Sequence, residues 1–85
     1  MQRWVKQAAL IKQKRFEKRI SQSQLSEKLG YKNGQFISNI ERQRCGVPIG
    51  KAKLLCELLE IKPHVLQVDM ATDYLNNLRG ALHGD

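Results

Sequence analysis

The chain has 85 residues, which is enough for one compact domain and leaves no room for a second, ligand-sensing domain beside it. Hydrophobic residues make up 41% and charged residues 27%, a balance that excludes the disordered and membrane classes. The net charge of +7 is unevenly placed, because residues 1–20 carry seven Lys or Arg against one Glu while residues 48–85 are nearly neutral. We therefore expect a single domain over residues 1–85 with either a polyanionic partner or a solvated basic surface on one side.

The few cysteines and histidines argue against catalysis and metal binding. Cys45 and Cys56 match no disulfide framework or metal pattern, which favours free thiols in a reducing compartment. His64 and His83 are far apart in the sequence, so no nucleophile and base can be paired. The N-terminus lacks the apolar core of a signal peptide. We expect a cytoplasmic protein that is not an enzyme, with no metal, cofactor, small-molecule ligand or membrane partner.

The first helix is predicted over about Gln2–Lys18. Trp4, Ala8 and Ile11 recur at i, i+4 and i+7, with Val5 and Ala9 alongside, which indicates an amphipathic helix with a basic outer face.

The second helix is predicted from Gln22 to Leu29. Ser21 and Gln24 have the S-x-x-Q form of a capping box, in which the serine caps the helix and the glutamine reciprocates. Gly30 then ends the helix, because a residue without Cβ can take the left-handed turn.

The third helix is predicted from Gly34 to about Arg42, with Asn33 as its cap. Apolar residues share one side of it, and a polar stripe at i, i+3, i+4 and i+7 lies on the other. The apolar side consists of Phe36, Ile37 and Ile40, and the polar stripe of Gln35, Ser38, Asn39 and Arg42. A short capped helix, a glycine turn and a helix with a free polar face are typical of a helix-turn-helix.

Two more helices complete a predicted all-α fold of five helices. Pro48 opens a fourth helix, whose core spacing is carried by Ala52, Leu55, Cys56 and Leu59. Pro63 marks the start of a C-terminal helical region over residues 62–82. Its apolar stripe is either buried core or a homodimer seam, and comprises Ala71, Tyr74 or Leu75, Leu78 and Leu82.

The stretch RISQSQLSEKLGYKNGQFISNIERQR, residues 19–44, resembles the Cro and repressor family of bacterial and phage helix-turn-helix proteins, the XRE family. With looser patterning the likeness covers residues 11–61, about half of the chain. The features that agree are Arg15, Gln22, Leu25, Leu29-Gly30, Ile37-Ser38, Ile40-Glu41 and Pro48. The resemblance implies a five-helix repressor-like domain whose third helix enters the DNA major groove while the second crosses the backbone.

The resemblance also implies roles for individual residues. Gln35, Ser38 and Asn39 would face the bases, where a Gln or Asn amide can meet adenine with a paired donor and acceptor, and Gln22 would contact a phosphate or the edge of the site. Arg15 and Glu41 match the positions of a structural salt bridge between the first and third helices. Residues that flank the stripe would neutralise phosphates, namely Lys32, Asn33, Arg42 and Arg44.

Three departures from the family pattern leave alternatives open. One additional residue between Leu29 and Ile37 allows two starting positions for the third helix. Phe36 replaces a small polar residue and either joins the core, which we favour, or contacts a thymine methyl. Gln43 and Gly46 stand where a glycine usually follows the motif, so the sequence does not define the next loop.

The sequence therefore predicts a sequence-specific, double-stranded DNA-binding transcriptional regulator, a repressor by its resemblance, associated with the nucleoid. We expect a homodimer, since a single small domain makes too little interface for high specificity. The alternative is an antitoxin or adaptor module whose main partner is another protein.

Overall fold

A computed structural model describes residues 3–84, which contain five α-helices and no strand. The helices are α1 (Val5–Glu17), α2 (Gln22–Lys28), α3 (Gln35–Glu41), α4 (Ile49–Leu59) and α5 (Pro63–His83). The predicted all-α class and the number of helices are confirmed. No helix within residues 3–84 is both long enough and apolar enough to cross a bilayer.

The start of α1 differs from the prediction. Arg3 and Trp4 are not helical, and the predicted first residue, Gln2, lies outside the described residues. Trp4 occupies the N-cap position but its side chain has no oxygen to accept the free N–H groups of the first turn. Asp73 of α5 accepts them instead, at 3.0 Å from the backbone nitrogens of Lys6 and Gln7. The cap of α1 therefore comes from the other end of the chain.

The second helix starts at Gln22 as predicted and ends at Lys28, one residue before the predicted end at Leu29. Ser21 Oγ accepts a hydrogen bond from the Gln24 backbone N–H at 3.0 Å, and Gln24 Oε1 accepts from the Ser21 N–H at 2.8 Å. At the other end Gly30 has a φ of +96°, a conformation that side chains with Cβ rarely adopt. The capping box and the glycine stop are thus both present.

The core lies where the five helices meet. Ile11, Leu25, Ile37, Ile40 and Leu55 are completely buried, and each contributes about 1.5–3 kcal/mol by leaving water. Other buried apolar side chains complete it: Ala8, Leu10, Leu29, Val47, Cys56, Leu59, Ile61 and Leu66. In α1, Val5 and Ala9 are exposed rather than beside this core as predicted, while Gln7 is buried.

The outer stripe of α5 is not part of the core. Leu66 and Asp73 are the buried residues of this helix, and they lie on the side opposite the predicted stripe. The stripe itself is exposed to solvent at Ala71, Tyr74, Leu75, Leu78 and Leu82. Of the two alternatives left by the sequence, buried core is therefore wrong for this stripe.

The connection between α3 and α4 has Gln43 rather than a glycine in a left-handed conformation. Gln43 adopts the left-handed conformation with a φ of +61°, which is the geometry that a glycine would take at no cost. The loop that the sequence left undefined therefore contains a non-glycine residue in a left-handed conformation.

Candidate nucleic-acid interface

Two contacts hold α3 close against α2. A Cβ atom on Gly34 would lie 2.9 Å from Ser23 Oγ and 3.0 Å from Ser23 N, so a larger residue here would push α3 away from α2 by a few tenths of an ångström or displace the Ser23 hydroxyl. The completely buried Ser26 Oγ accepts a hydrogen bond from the Ile37 backbone N–H at 3.2 Å. These contacts fix the direction in which the remaining side of α3 points.

The structure decides between the two starting positions that the sequence allows for α3. The helix begins at Gln35 with Gly34 as its N-cap residue, one position later than predicted. Asn33, the predicted cap, therefore precedes the N-cap residue, and its Oδ1 accepts a hydrogen bond from the Gln35 backbone N–H at 2.9 Å. The amide oxygen of Asn33 is therefore engaged, and its amide nitrogen makes no hydrogen bond within residues 3–84.

The polar stripe of α3 faces away from the core. Ile37 and Ile40 on the inner side are completely buried, whereas Gln35 and Arg42 are exposed. Ser38 and Asn39 are partly exposed between them. The free side of this helix thus consists of amide, hydroxyl and guanidinium groups.

Gln35 and Asn39 form a hydrogen-bonded pair on that side. Gln35 Nε2 donates to Asn39 Oδ1 at 2.7 Å across one helical turn. The pair leaves the acceptor of Gln35 and the amide donors of Asn39 without partners in the described part of the chain. It therefore presents a fixed combination of one acceptor and one donor group to a third molecule.

Glu41 joins the ends of three segments. Its carboxylate accepts hydrogen bonds from Arg15 Nε at 2.7 Å and Nη2 at 3.0 Å, and from Gln22 Nε2 at 3.1 Å. Arg15 also donates from Nη1 to the carbonyl oxygen of Ile20 at 3.0 Å. The salt bridge implied by the resemblance is thus formed, and Gln22 is tied to it by its amide nitrogen. The second N–H of the Gln22 amide and its amide oxygen remain for an outside contact.

Positive charge surrounds the polar stripe. Residues 30–54 contain five Lys or Arg and a single acid, Glu41, whose charge is balanced by Arg15. Lys32, Arg42 and Arg44 are exposed, and none of the three forms an ion pair with an acid among residues 3–84. Lys51 donates from Nζ to the carbonyl oxygen of Leu29 at 2.9 Å and so covers the C-terminus of α2. The surface that α3 presents is therefore strongly basic.

Phe36 lies at the edge of the stripe and is only partly buried. Its ring stacks on that of Tyr31 with centroids 3.9 Å apart and planes 9° from parallel. Lys51 Nζ lies 5.3 Å from the centroid of the Tyr31 ring. Phe36 thus packs against the core, as favoured from the sequence, and part of its ring stays accessible.

Sequence reasoning missed Asp73, Tyr31 and Lys51. Asp73 is 2% exposed and accepts a third hydrogen bond, from Gln7 Nε2 at 3.0 Å. Asp73 lies on the side of α5 opposite the apolar stripe. That position would have indicated burial only if the stripe had been taken as the outer side, whereas an apolar stripe is ordinarily the side by which a helix packs. Tyr31 and Lys51 become neighbours only when the turn after α2 meets α4, which no local pattern shows.

The described residues offer little for other site chemistry. No group of three or more His, Cys, Asp or Glu within residues 3–84 is placed to hold a metal ion. Cys45 and Cys56 are free thiols. Burial raises the pKa of both, and the negative charge of Glu57 raises the pKa of Cys56 further. Both are therefore protonated and weakly nucleophilic at neutral pH.

Comparisons of the chain with protein-family models, with curated proteins and with solved structures found no match.

Proposed function

We propose that this chain is a sequence-specific, double-stranded DNA-binding regulator of the Cro and repressor type, with α2 and α3 as its helix-turn-helix. The observation that carries the proposal is the polar side of α3, which is exposed or partly exposed within a basic surface while Ile37 and Ile40 on the other side are completely buried. A helix held in this way can enter the major groove with its side chains directed at base edges. The resemblance favours a repressor in the nucleoid.

The proposed contacts with DNA are of two kinds: contacts to base edges, which read the sequence, and contacts to phosphates, which position the protein on the duplex. The pair of Gln35 and Asn39 faces the base edges, and its free acceptor and donor match the paired donor and acceptor of adenine. Ser38 lies beside the pair, and the accessible part of Phe36 is placed for a thymine methyl. Groups around them bind phosphates and set the register, namely Gln22, Lys32, Asn33, Arg42 and Arg44.

Binding to duplex DNA should weaken steeply with salt. With roughly six phosphate contacts in a dimeric complex, the logarithm of the affinity should fall against the logarithm of salt concentration with a slope of about −5. Titration of a labelled duplex by fluorescence anisotropy at several salt concentrations measures this slope. No binding to any duplex at low salt, or a response that is flat in salt, would remove the proposal.

The reading role is tested on sequences selected from a random duplex pool. Gln35→Ala or Asn39→Ala should each lose about 1–3 kcal/mol on the selected site and relax the preference at one position per half-site. Because the two side chains are hydrogen-bonded, the double variant should lose little more than either single variant. Gln67→Ala, on the exposed surface of α5, is the matched control and should leave the selected sequence unaltered.

The positioning role gives a different signature. Lys32→Ala and Arg44→Ala should weaken binding to all duplexes alike and make the salt slope shallower by about 1 for each phosphate that is no longer neutralised. Lys62→Ala, which removes an exposed charge before α5, is the control. If Lys62→Ala changes the slope as much as the other two, the basic surface around α3 is not the binding surface.

A protein partner is the second candidate, in an antitoxin or adaptor module. The exposed apolar stripe of α5 favours it, because such stripes mark protein contacts. This candidate would replace DNA binding if Leu75→Glu abolished binding of another protein while Gln35→Ala and Asn39→Ala left any duplex preference unaltered.

A further inference from the structure

Two cavities adjoin one another along one side of α5. The first, of about 410 Å³, lies between α4 and α5, and its lining includes Ile49, Ala52, Lys53, Leu66, Gln67 and Met70. The second, of about 320 Å³, lies between α5 and the segment before α1, and its lining includes Trp4, Val47, Met70, Tyr74 and Leu78. Because Met70 lines both cavities, they form one continuous groove, which we call the α5 groove.

The α5 groove is elongated along the helix axis. Gln67 lines the first cavity and Leu78 the second, and α5 rises about 16 Å between these two residues. The volume of each cavity lies at the lower end of the range that is usual for small-molecule sites. The groove is therefore shaped for a long and narrow ligand rather than for a compact ring system.

The polar side chains of the second cavity are already used within the fold. Gln7 Oε1 accepts a hydrogen bond from the Val47 backbone N–H at 2.7 Å, and Gln7 Nε2 donates to the Asp73 carboxylate at 3.0 Å. Asn77 Oδ1 accepts a hydrogen bond from the Arg3 backbone N–H at 2.7 Å. This cavity therefore offers a ligand mainly the apolar surface of its other side chains, which disfavours a sugar or a nucleotide.

The first cavity adds a single positive charge. Lys53 is the one charged side chain among residues 3–84 that lines the α5 groove, so no acid of that part of the chain lines it. Lys53 is exposed and forms no ion pair within the same residues. One lysine balances one negative charge, which favours a carboxylate over a phosphate ester with nearly two charges. The groove thus combines long apolar walls with one cation in the cavity that does not contain Trp4.

We infer that the α5 groove binds a straight-chain aliphatic carboxylate, with its carboxylate at Lys53 and its alkyl chain running past Met70 to Trp4. An extended chain of about twelve carbons, with bonds of about 1.5 Å at tetrahedral angles, spans about 14 Å and so matches the length of the groove. The sequence did not predict a small-molecule ligand, because α4, α5 and Trp4 come together only in the folded chain. The inference does not depend on the proposed function, since none of these residues belongs to the proposed DNA-binding surface.

Trp4, the only tryptophan of the chain, provides the measurement. Dodecanoate added to the whole chain should change the fluorescence of Trp4 with a dissociation constant of about 10–500 μM. Two brominated probes test the orientation, because bromine quenches tryptophan fluorescence only at close contact. At saturation, 12-bromododecanoate, with its bromine at the far end of the chain, should quench Trp4 strongly. The isomer 2-bromododecanoate, with its bromine beside the carboxylate, should leave most of the emission.

Shorter ligands, the matching alcohol and three variants test the chemistry of the groove. The affinity should rise about twofold to fourfold for each methylene from octanoate to dodecanoate, because each one buries more apolar surface. Lys53→Met should weaken dodecanoate binding about threefold to fivefold and remove the advantage of dodecanoate over 1-dodecanol. Lys12→Met, which removes an exposed lysine of α1 outside the groove, is the matched control. Leu75→Gln, on the exposed stripe but outside the groove, should bind dodecanoate like the wild type.

The outcomes decide the inference in both directions. Absence of binding up to about 1 mM dodecanoate, equal quenching by the two brominated probes, or equal affinities of the wild type and Lys53→Met would overturn it. Loss of binding in Leu75→Gln at an unchanged melting temperature would place the ligand on the stripe and overturn it as well. Loss of DNA binding with dodecanoate binding intact would instead count against the proposed function alone.

Discussion

Removal of the Glu41 carboxylate is the perturbation for which the structure gives the clearest magnitude. The side chains of Arg15 and Glu41 are only 10% and 4% exposed. Glu41→Ala takes away the acceptor of two guanidinium N–H groups and leaves a charge with little access to water. Loss of one partner of a buried pair costs about 3–5 kcal/mol, and the remaining bond of Arg15 to the Ile20 carbonyl places the expected loss near 3 kcal/mol.

Variants of Arg15 distinguish the cost of leaving one buried charge unpaired from the loss of the attraction between the two charges. Arg15→Met should also cost about 3 kcal/mol, because it leaves the Glu41 carboxylate with only the Gln22 amide as a donor. The combination of Arg15→Met with Glu41→Leu should cost no more than either single change, since no charge then remains buried. The coupling energy of this cycle is therefore expected to be about 3 kcal/mol.

Urea unfolding followed by far-ultraviolet circular dichroism measures these free energies. With a denaturant dependence of about 1 kcal/mol per molar urea for a chain of this size, each single variant should unfold about 3 M earlier. The exposed pair of Lys14 and Glu17, 3.4 Å apart, is the matched control, and its cycle should give less than about 1 kcal/mol. Additive costs at Arg15 and Glu41 would refute the reasoning, because two independent losses cannot arise from one buried charge pair.

Three further predictions concern the cap of α1, the strained loop and the thiols. Asp73→Ala should cost about 3 kcal/mol in the same unfolding assay, because it strands three N–H donors, and Asp73→Asn should cost less because one acceptor remains; equal stability of all three proteins would contradict the capping role. Gln43→Gly should stabilise the protein by about 0.5–1 kcal/mol by relieving the left-handed backbone, and destabilisation would show that the side chain makes a contact of larger value. Because burial raises the pKa of Cys45 and Cys56, alkylation by iodoacetamide followed by mass spectrometry should be slow at pH 7 and still accelerating at about pH 9, where an ordinary thiol is mostly ionised; a rate that levels off below pH 8 would contradict it.

The sequence was most informative where a few neighbouring residues suffice. The capping box of α2, the stop at Gly30 and the proline starts of α4 and α5 are local hydrogen-bond or steric rules, and all are present. Hydrophobic spacing likewise identified Ile37 and Ile40 as the buried side of α3, because a period of 3.6 residues places them on one face. The polar stripe followed as the remaining side.

Contacts between distant segments decided the rest. The sequence could not show that Asp73 caps a helix 66 residues earlier, or that Gln22 shares Glu41 with Arg15, because each depends on how the helices pack. For α5 the apolar spacing was correct, but periodicity states only which residues share a face and not what covers that face. The tertiary structure decided this, since the other side of α5 packs on α1 through the buried carboxylate of Asp73 and leaves the apolar stripe exposed to water. Periodicity is a property of one helix, whereas burial is a property of its neighbours.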